Sequence, residues 1–201
     1  MTGMKNVQTA VFQRPKDGNY HCGDSYFYLE TGNEFICAIA DGLGSGEYAK
    51  ESSQIVINII RENMDQPIEK IIKMCNEQLF GKRGVVLGIL KMDFISTVYS
   101  FSSIGNIGIV VVDQDKNKKR NIPSSGYLAG YPRKFKVIQE KLQSNMNFVM
   151  FSDGITDKDL SEMSFFGKNV EDIIETFKYK SNPVRDDDTT LIAMRYKKTK
   201  R

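Results

Sequence analysis

The sequence has very little histidine, and its cysteines follow no pairing pattern. His21 is the single histidine, so a Ser-His-Asp triad or a histidine-rich zinc site would depend on that one residue. Cys22, Cys37 and Cys75 are odd in number and form no CxxC pair. Cys37 lies in an apolar run and Cys75 on the apolar side of a helical pattern. Both are therefore expected to be core thiols, as is typical of a reducing compartment.

Long apolar runs and a strong excess of one charge are also missing. No run reaches the length of a membrane-spanning helix, and the first residues carry no apolar signal segment, so we expect a cytoplasmic protein without membrane contact. The net charge of +3 is too small to indicate nucleic-acid binding. The basic stretches 116–120 and 197–201 are typical of an exposed hairpin tip and a chain end.

The length and the hydrophobic pattern predict one domain with many strands and few helices. The 201 residues suffice for a single sizeable core. Helical periodicity predicts helices over 48–62, 68–79 and 170–179, the second with an acidic cap at Asp65. Strands are predicted over 8–13, 25–29, 34–40, 85–90, 94–101, 107–112, 119–122, 134–138, 147–151 and 190–196. This order indicates an α+β fold in which antiparallel sheets pack together with helices outside.

Three aspartate motifs stand where apolar strand-like runs begin or end. Asp41 opens the sequence Asp-Gly-Leu-Gly-Ser-Gly after one such run, Asp153 follows another, and Asp187 precedes the last. A carboxylate at the end of a buried strand is costly unless a cation or several donors compensate its charge. If the strands bring the three motifs together, their oxygen ligands suit hard divalent cations.

Each motif also has a simpler interpretation when it is taken alone. Asp-Gly pairs are common in ordinary turns, and a glycine loop before a helix can instead hold a phosphate on backbone N–H groups. The acidic run 186–188 brings like charges together, and a bound cation would offset their repulsion. The three motifs in combination favour a metal site.

Taken in chain order, these motifs resemble those of a known family. The resemblance is to the metal-dependent protein phosphatases of the 2C type (the PPM family), and within it to the short bacterial SpoIIE and RsbX branch. The residues that carry it are Gly23-Asp24, 41–46, Lys82-Arg83-Gly84, Gly105-Asn106, 125–128, Ser152-Asp153-Gly154 and 187–190. The likeness covers nearly the whole chain. It implies a single phosphatase domain over 1–201, built as an antiparallel β-sandwich flanked by α-helices in four αββα layers.

The resemblance implies a catalytic site with two Mn²⁺ or Mg²⁺ ions. Asp41 would bridge both ions, and the Gly42 carbonyl would complete the shell of one. Asp153 and Asp187 would hold the second ion, and Asp24 would bind metal directly or through a water. The ions would activate water for direct attack on phosphoserine or phosphothreonine, which requires no histidine and no phosphoenzyme.

The chain departs from the family pattern at positions that matter for substrate and metal. Asn19 stands where many members have a phosphate-binding arginine. Lys82 and Arg83 are candidates for that role, although both also suit ordinary turn cations. Asn106 replaces a carboxylate that often helps to hold a third ion, so a third ion at Asp157 would bind weakly at best.

The resemblance also implies partners, and two other functional classes stay open. It implies a monomer that dephosphorylates STAS-domain proteins of the stressosome and so restrains a general stress sigma factor. The glycine loop 41–46 is also similar to the ATP-lid box of an anti-sigma kinase, a nucleotide-binding switch, but that reading gives no role to Asp153 and Asp187. A third class is an inactive interaction module of the same fold, against which the retained carboxylates argue.

Overall fold

Two antiparallel sheets and four helices make up the computed structural model, which describes residues 5–162, 169–181 and 186–198. Residues 199–201 of the predicted basic chain end lie outside these ranges. The strands are β1 Val7–Arg14, β2 Asp24–Glu30, β3 Glu34–Gly42, β4 Val85–Asp93, β5 Val98–Ile104, β6 Gly108–Val112, β7 Lys118–Arg120, β8 Ile138–Lys141, β9 Asn147–Phe151 and β10 Thr189–Tyr196. The helices are α1 Glu47–Glu62, α2 Ile68–Gln78, α3 Asp157–Glu162 and α4 Val170–Lys180.

The sheets stack face to face, and helices cover both outer faces. The first sheet has the order β1-β10-β9-β6-β7 and the second the order β2-β3-β4-β5-β8, with every neighbouring pair antiparallel. Strand β3 is buried on both faces: Phe35 and Ile39 face the core between the sheets, while Ile36 and Ala38 pack with α1 and α2. Helices α3 and α4 pack on the first sheet around Phe177. The predicted four-layer αββα fold is confirmed.

The predicted elements differ from the structure mainly at turns and sheet edges. The predicted strand 94–101 begins only at Val98, because Asp93 Oδ1 accepts hydrogen bonds from the backbone N–H groups of Ile95 and Ser96 in a turn. The predicted strand 134–138 is wrong, since pairing with β5 starts at residue 138. The acidic cap at Asp65 is also wrong, because Pro67 occupies the N-cap without a side-chain hydrogen bond. The short helix α3 has no counterpart in the prediction.

Two glycines allow the chain to close around one end of the sandwich. A Cβ on Gly42, at the end of β3, would lie 2.0 Å from the carbonyl oxygen of Ala49, so only glycine lets α1 cross so near the strand. A Cβ on Gly154, after β9, would lie 2.3 Å from the carbonyl oxygen of Asp188. Gly42 thus lets α1 pack on the end of β3, and Gly154 lets the end of β9 meet the start of β10. None of the helices described is long and apolar enough to cross a membrane.

Candidate active site

Two of the predicted aspartates come from neighbouring strands of the second sheet. Asp24, the first residue of β2, lies opposite Asp41 near the end of β3. The Asp24 side chain is fully buried, and its Oδ2 accepts a 2.6 Å hydrogen bond from Thr190 Oγ1 of the first sheet. Its Oδ1 is buried too and has no hydrogen-bond partner in the described residues. A buried carboxylate oxygen without a donor is costly unless a cation binds it.

The other predicted aspartates come from the adjoining end of the first sheet. Asp153 follows β9 and is exposed, and its Oδ2 accepts a 2.6 Å hydrogen bond from Asn106 Nδ2. Asp187 precedes β10 and is also exposed. Burial, together with the negative charges of these aspartates, of Asp24 and of Asp188, raises the pKa of Asp41 to about 8. The four aspartates that the sequence predicts as site residues therefore share one electrostatic environment.

Asp188 has a different role from that of its acidic neighbours. Its carboxylate is buried, with Oδ1 accepting the Lys16 N–H at 2.8 Å and Oδ2 the Gly23 N–H at 2.7 Å. It thus ties the β1–β2 connection to the start of β10, beside Asp24. In the sequence-based prediction, Asp188 was not distinguished from Asp187. Strand alternation was the available signal, because residues 188 and 190 share one face of an extended chain.

Lys50 is a second residue that the sequence analysis missed. Its Nζ donates to the Asp24 carbonyl oxygen at 2.8 Å and to Ser25 Oγ at 3.0 Å. On the same helix, Ser53 Oγ donates to the Gly23 carbonyl oxygen at 2.6 Å. These bonds fix α1 to the start of β2. Helical periodicity assigns Lys50 to the polar face of α1, so only the tertiary structure shows this anchoring.

The two predicted phosphate-binding cations lie in different surroundings. Lys82 is exposed and forms a 2.7 Å ion pair with Glu51 of α1. Arg83 lies against the glycine loop, where its Nη1 donates to the Leu43 carbonyl oxygen at 3.4 Å and its guanidinium lies 6.0 Å from the centre of the Tyr48 ring. Of the two cations, Arg83 is therefore the one in contact with the loop that starts at Asp41.

Asp157 lies at the start of α3, where its carboxylate forms a 2.5 Å ion pair with Arg120. Its side chain is 84% exposed. Asn106 and Arg120 thus engage the two carboxylates, Asp153 and Asp157, that a third ion would need. This arrangement offers a third ion less free negative charge than the sequence motif alone indicates.

The donor set fits hard divalent cations. Carboxylate and carbonyl oxygens are the ligands that Mg²⁺ and Mn²⁺ prefer, and the partnerless Asp24 Oδ1 adds a buried oxygen that needs compensation. Within the described ranges, no three Asp, Glu, His or Cys side chains already gather around one point. The nucleotide-switch alternative gives no role to Asp153, whose negative charge acts on Asp41.

Comparison with known proteins agrees with this geometry. The family model for Stage II sporulation protein E (SpoIIE) matches residues 31–197. The phosphoserine phosphatase RsbX of Bacillus subtilis (strain 168) is 33% identical over 188 residues, which cover 94% of each chain. The chain belongs to the SpoIIE family. Members of this family carry a 2C-type phosphatase domain, so the chain is a protein phosphatase.

Solved structures share the fold of this chain. A crystal structure of RsbX in complex with magnesium superposes with a TM-score of 0.89 at 34% identity, covering 94% of this SpoIIE-family chain and 95% of that one. A structure from the bacterial stressosome, described as a modular system adapted to control secondary messenger signaling, has a TM-score of 0.84 at 23% identity and covers 95% of this chain and 100% of that one. The second likeness shows the shared fold.

The raised pKa of Asp41 predicts a pH-dependent stability of the metal-free protein. An aspartate in an unfolded chain has a pKa of about 3.9, whereas burial and neighbouring charges raise that of Asp41 to about 8. Folding therefore favours its protonated form, and stability falls as the pH rises from about 4 to about 8. In chelator, Asp41→Asn should raise the melting temperature by roughly 5 °C at pH 8 and much less at pH 5.

Thermal unfolding followed by circular dichroism at both pH values measures this difference. The matched control is Asp65→Asn at an exposed position away from the site, which should shift both melting temperatures equally. An Asp41→Asn variant with the same shift at pH 5 and pH 8 would contradict the electrostatic account.

Proposed function

We propose that this protein is a cytoplasmic phosphoserine and phosphothreonine phosphatase with one catalytic domain over 1–201. Its substrates are phosphorylated STAS-domain proteins of the stressosome, and by acting on them as a monomer it restrains activation of a general stress sigma factor. The observation that carries the phosphatase chemistry is the set of four carboxylates, Asp24, Asp41, Asp153 and Asp187, at one end of the sandwich. One buried Asp24 oxygen among them has no hydrogen-bond donor in the part of the chain that the structure describes. The 33% identity to RsbX supports phosphoserine as the substrate group.

The cofactors in this proposal are two Mn²⁺ or Mg²⁺ ions. Asp41 and the Gly42 carbonyl would hold one ion. Asp41, Asp153 and Asp187 would hold the other, and Asp24 would bind metal directly or through a water. When bound, such ions supply Lewis-acid polarisation of the phosphate and activation of water. Asp157 is the remaining candidate for a weak third site.

The protein's own residues then hold and orient this set. Thr190 donates to Asp24 and thereby fixes the orientation of its carboxylate, and the Asn106 amide does the same for Asp153. A thiolate nucleophile is disfavoured, because burial and the nearby charges of Asp24 and Asp188 raise the pKa of Cys22 to about 12. His21 is exposed, and among the described residues it forms no hydrogen bond or ion pair with the carboxylates.

Removal of divalent metal tests the proposal most directly. Hydrolysis of a phosphoserine peptide should require Mn²⁺ or Mg²⁺ and stop in EDTA. Asp41→Asn should reduce kcat by about 100-fold or more, since loss of a shared ligand exceeds the cost of losing an outer hydrogen-bond partner. Released phosphate is measured, with His21→Ala as the control that keeps most of the turnover. Full activity after exhaustive metal removal would exclude the metal mechanism.

Arg83 is proposed to bind the substrate phosphate in place of the arginine that Asn19 replaces. Its planar guanidinium can bind phosphate through two N–H groups, and it already contacts the glycine loop. Arg83→Ala should raise KM for the phosphoserine peptide by about tenfold, as expected for the loss of a charged hydrogen bond. Lys82→Ala, which breaks only the ion pair with Glu51, should change KM by less than about twofold. Equal effects of the two substitutions on KM would remove Arg83 from this role.

Recognition of a folded substrate gives a further test. Contacts away from the phosphate can orient it at the carboxylates and so lower the barrier. We expect kcat/KM to be much higher for a folded phospho-STAS protein than for a peptide with the same phosphoserine. Loop 124–131, which Asn76 holds to α2 through the N–H groups of Ala129 and Gly130, is proposed to make such contacts. Steady-state kinetics on the folded protein and the matching peptide tests this expectation. Equal kcat/KM values would refute folded-substrate recognition.

A further inference from the structure

An apolar cleft opens at the side of the sandwich where both sheets end. β7 is the last strand of the first sheet and β8 the last of the second. Between them lies a cleft of about 380 Å³, with Tyr99 and Phe101 of β5 and Ile109 and Val111 of β6 in its lining. These four side chains belong to the core between the sheets. The cleft therefore reaches that core from outside.

Hydrogen bonds hold the walls of the cleft in place. The backbone N–H of Ile109 donates to Asn121 Oδ1 at 2.6 Å, and the N–H of Asn121 donates to the Ile109 carbonyl oxygen at 3.0 Å. Ser124 Oγ accepts the N–H of Lys136 at 3.2 Å. At the cleft, the Ile122 side chain is 91% exposed. An exposed aliphatic residue beside a preformed apolar cleft is typical of a binding surface.

The rim of the cleft is positively charged. Glu140 is the single acidic residue between positions 116 and 141, and it is already engaged, because it accepts a 2.5 Å hydrogen bond from Tyr99 Oη and forms an ion pair with Lys119. Lys136 lines the cleft and forms no ion pair within the described residues. Three cations line the cleft, Lys119, Arg120 and Lys136, of which Arg120 pairs with Asp157. The adjoining chain segments add Lys116, Lys118, Arg133 and Lys134.

The cleft adjoins the carboxylate site. The Ser124 carbonyl oxygen accepts the N–H of Gly105 at 2.8 Å, and the next residue, Asn106, donates to Asp153. On the other side, Arg120 lines the cleft and pairs with Asp157, four residues after Asp153. The cleft walls are therefore bonded to the segments that carry Asp153 and Asp157.

We propose that this cleft binds an extended acidic segment of a partner protein, which inserts one aliphatic or aromatic side chain beside Ile122. The basic rim complements the acidic residues, and the outer edges of β7 and β8 suit an extended backbone. A concave apolar surface between two strands fits a single inserted side chain better than it fits a membrane. If the partner is also the phosphatase substrate, that identity rests on the proposed function. Binding of the acidic segment to the cleft does not depend on it.

The test uses a fluorescent peptide in which Thr and Glu alternate around one central Leu. Fluorescence anisotropy should show binding to the wild-type protein, and binding should weaken about tenfold when the central Leu is replaced by Ser, as expected for loss of one buried side chain. A peptide with Lys in place of Glu should not bind. Ile122→Ser and Lys136→Glu should each weaken binding at least about fivefold. The matched controls Ile95→Ser and Lys73→Glu, exposed but away from the cleft, should bind as the wild type does.

The remaining outcomes separate this inference from its alternatives. Absence of peptide binding, or equal binding by the cleft variants and the wild type, would overturn it. Binding to phosphatidylserine-containing vesicles that is lost in Ile122→Ser, without peptide binding, would reassign the cleft to an anionic membrane. Hydrolysis of p-nitrophenyl phosphate with Mn²⁺ is measured separately: turnover without peptide binding overturns only the docking inference. Peptide binding without turnover supports the cleft and contradicts the proposed phosphatase chemistry.

Discussion

Repulsion between carboxylates at one end of the sandwich is the constraint on which the rest of the site depends. The register of β2 and β3 places Asp24 directly opposite Asp41, and the ends of β9 and β10 add Asp153 and Asp187. In a protein without a cation at this point, that arrangement opposes folding. The packed cores on both sides of each sheet compensate this cost, so the fold can hold a site that is electrostatically unfavourable by itself.

Hydrogen bonds between the two sheets fix the relative position of these charges. Thr190 of the first sheet donates to Asp24 of the second, and Asp188 accepts the N–H of Gly23. The packing of α1 against Gly42 holds the glycine loop from the other side. The site consequently lies where the two sheets meet, and its geometry depends on how the sheets stack.

Much of this arrangement could be predicted from the sequence. Apolar alternation located the long strands, and the strand-end aspartates pointed to a common oxygen-rich site because buried carboxylates demand compensation. Tertiary contacts account for what was missed. Lys50 looks like a surface residue on a helical wheel, yet it binds the Asp24 carbonyl. The segment 134–138 has strand-like residues, but the Lys136 N–H bonds to the Ser124 side chain, so local propensity is overridden.

Asp188 accepts two backbone hydrogen bonds, and this has a consequence for local motion. One carboxylate holds the backbone N–H groups of both Lys16 and Gly23, so the two ends of the intervening segment share a single anchor. Opening of that anchor would release both ends at once. The segment 16–23 should therefore behave as one cooperative opening unit, with the amide hydrogens of residues 16 and 23 exchanging with solvent at matched rates.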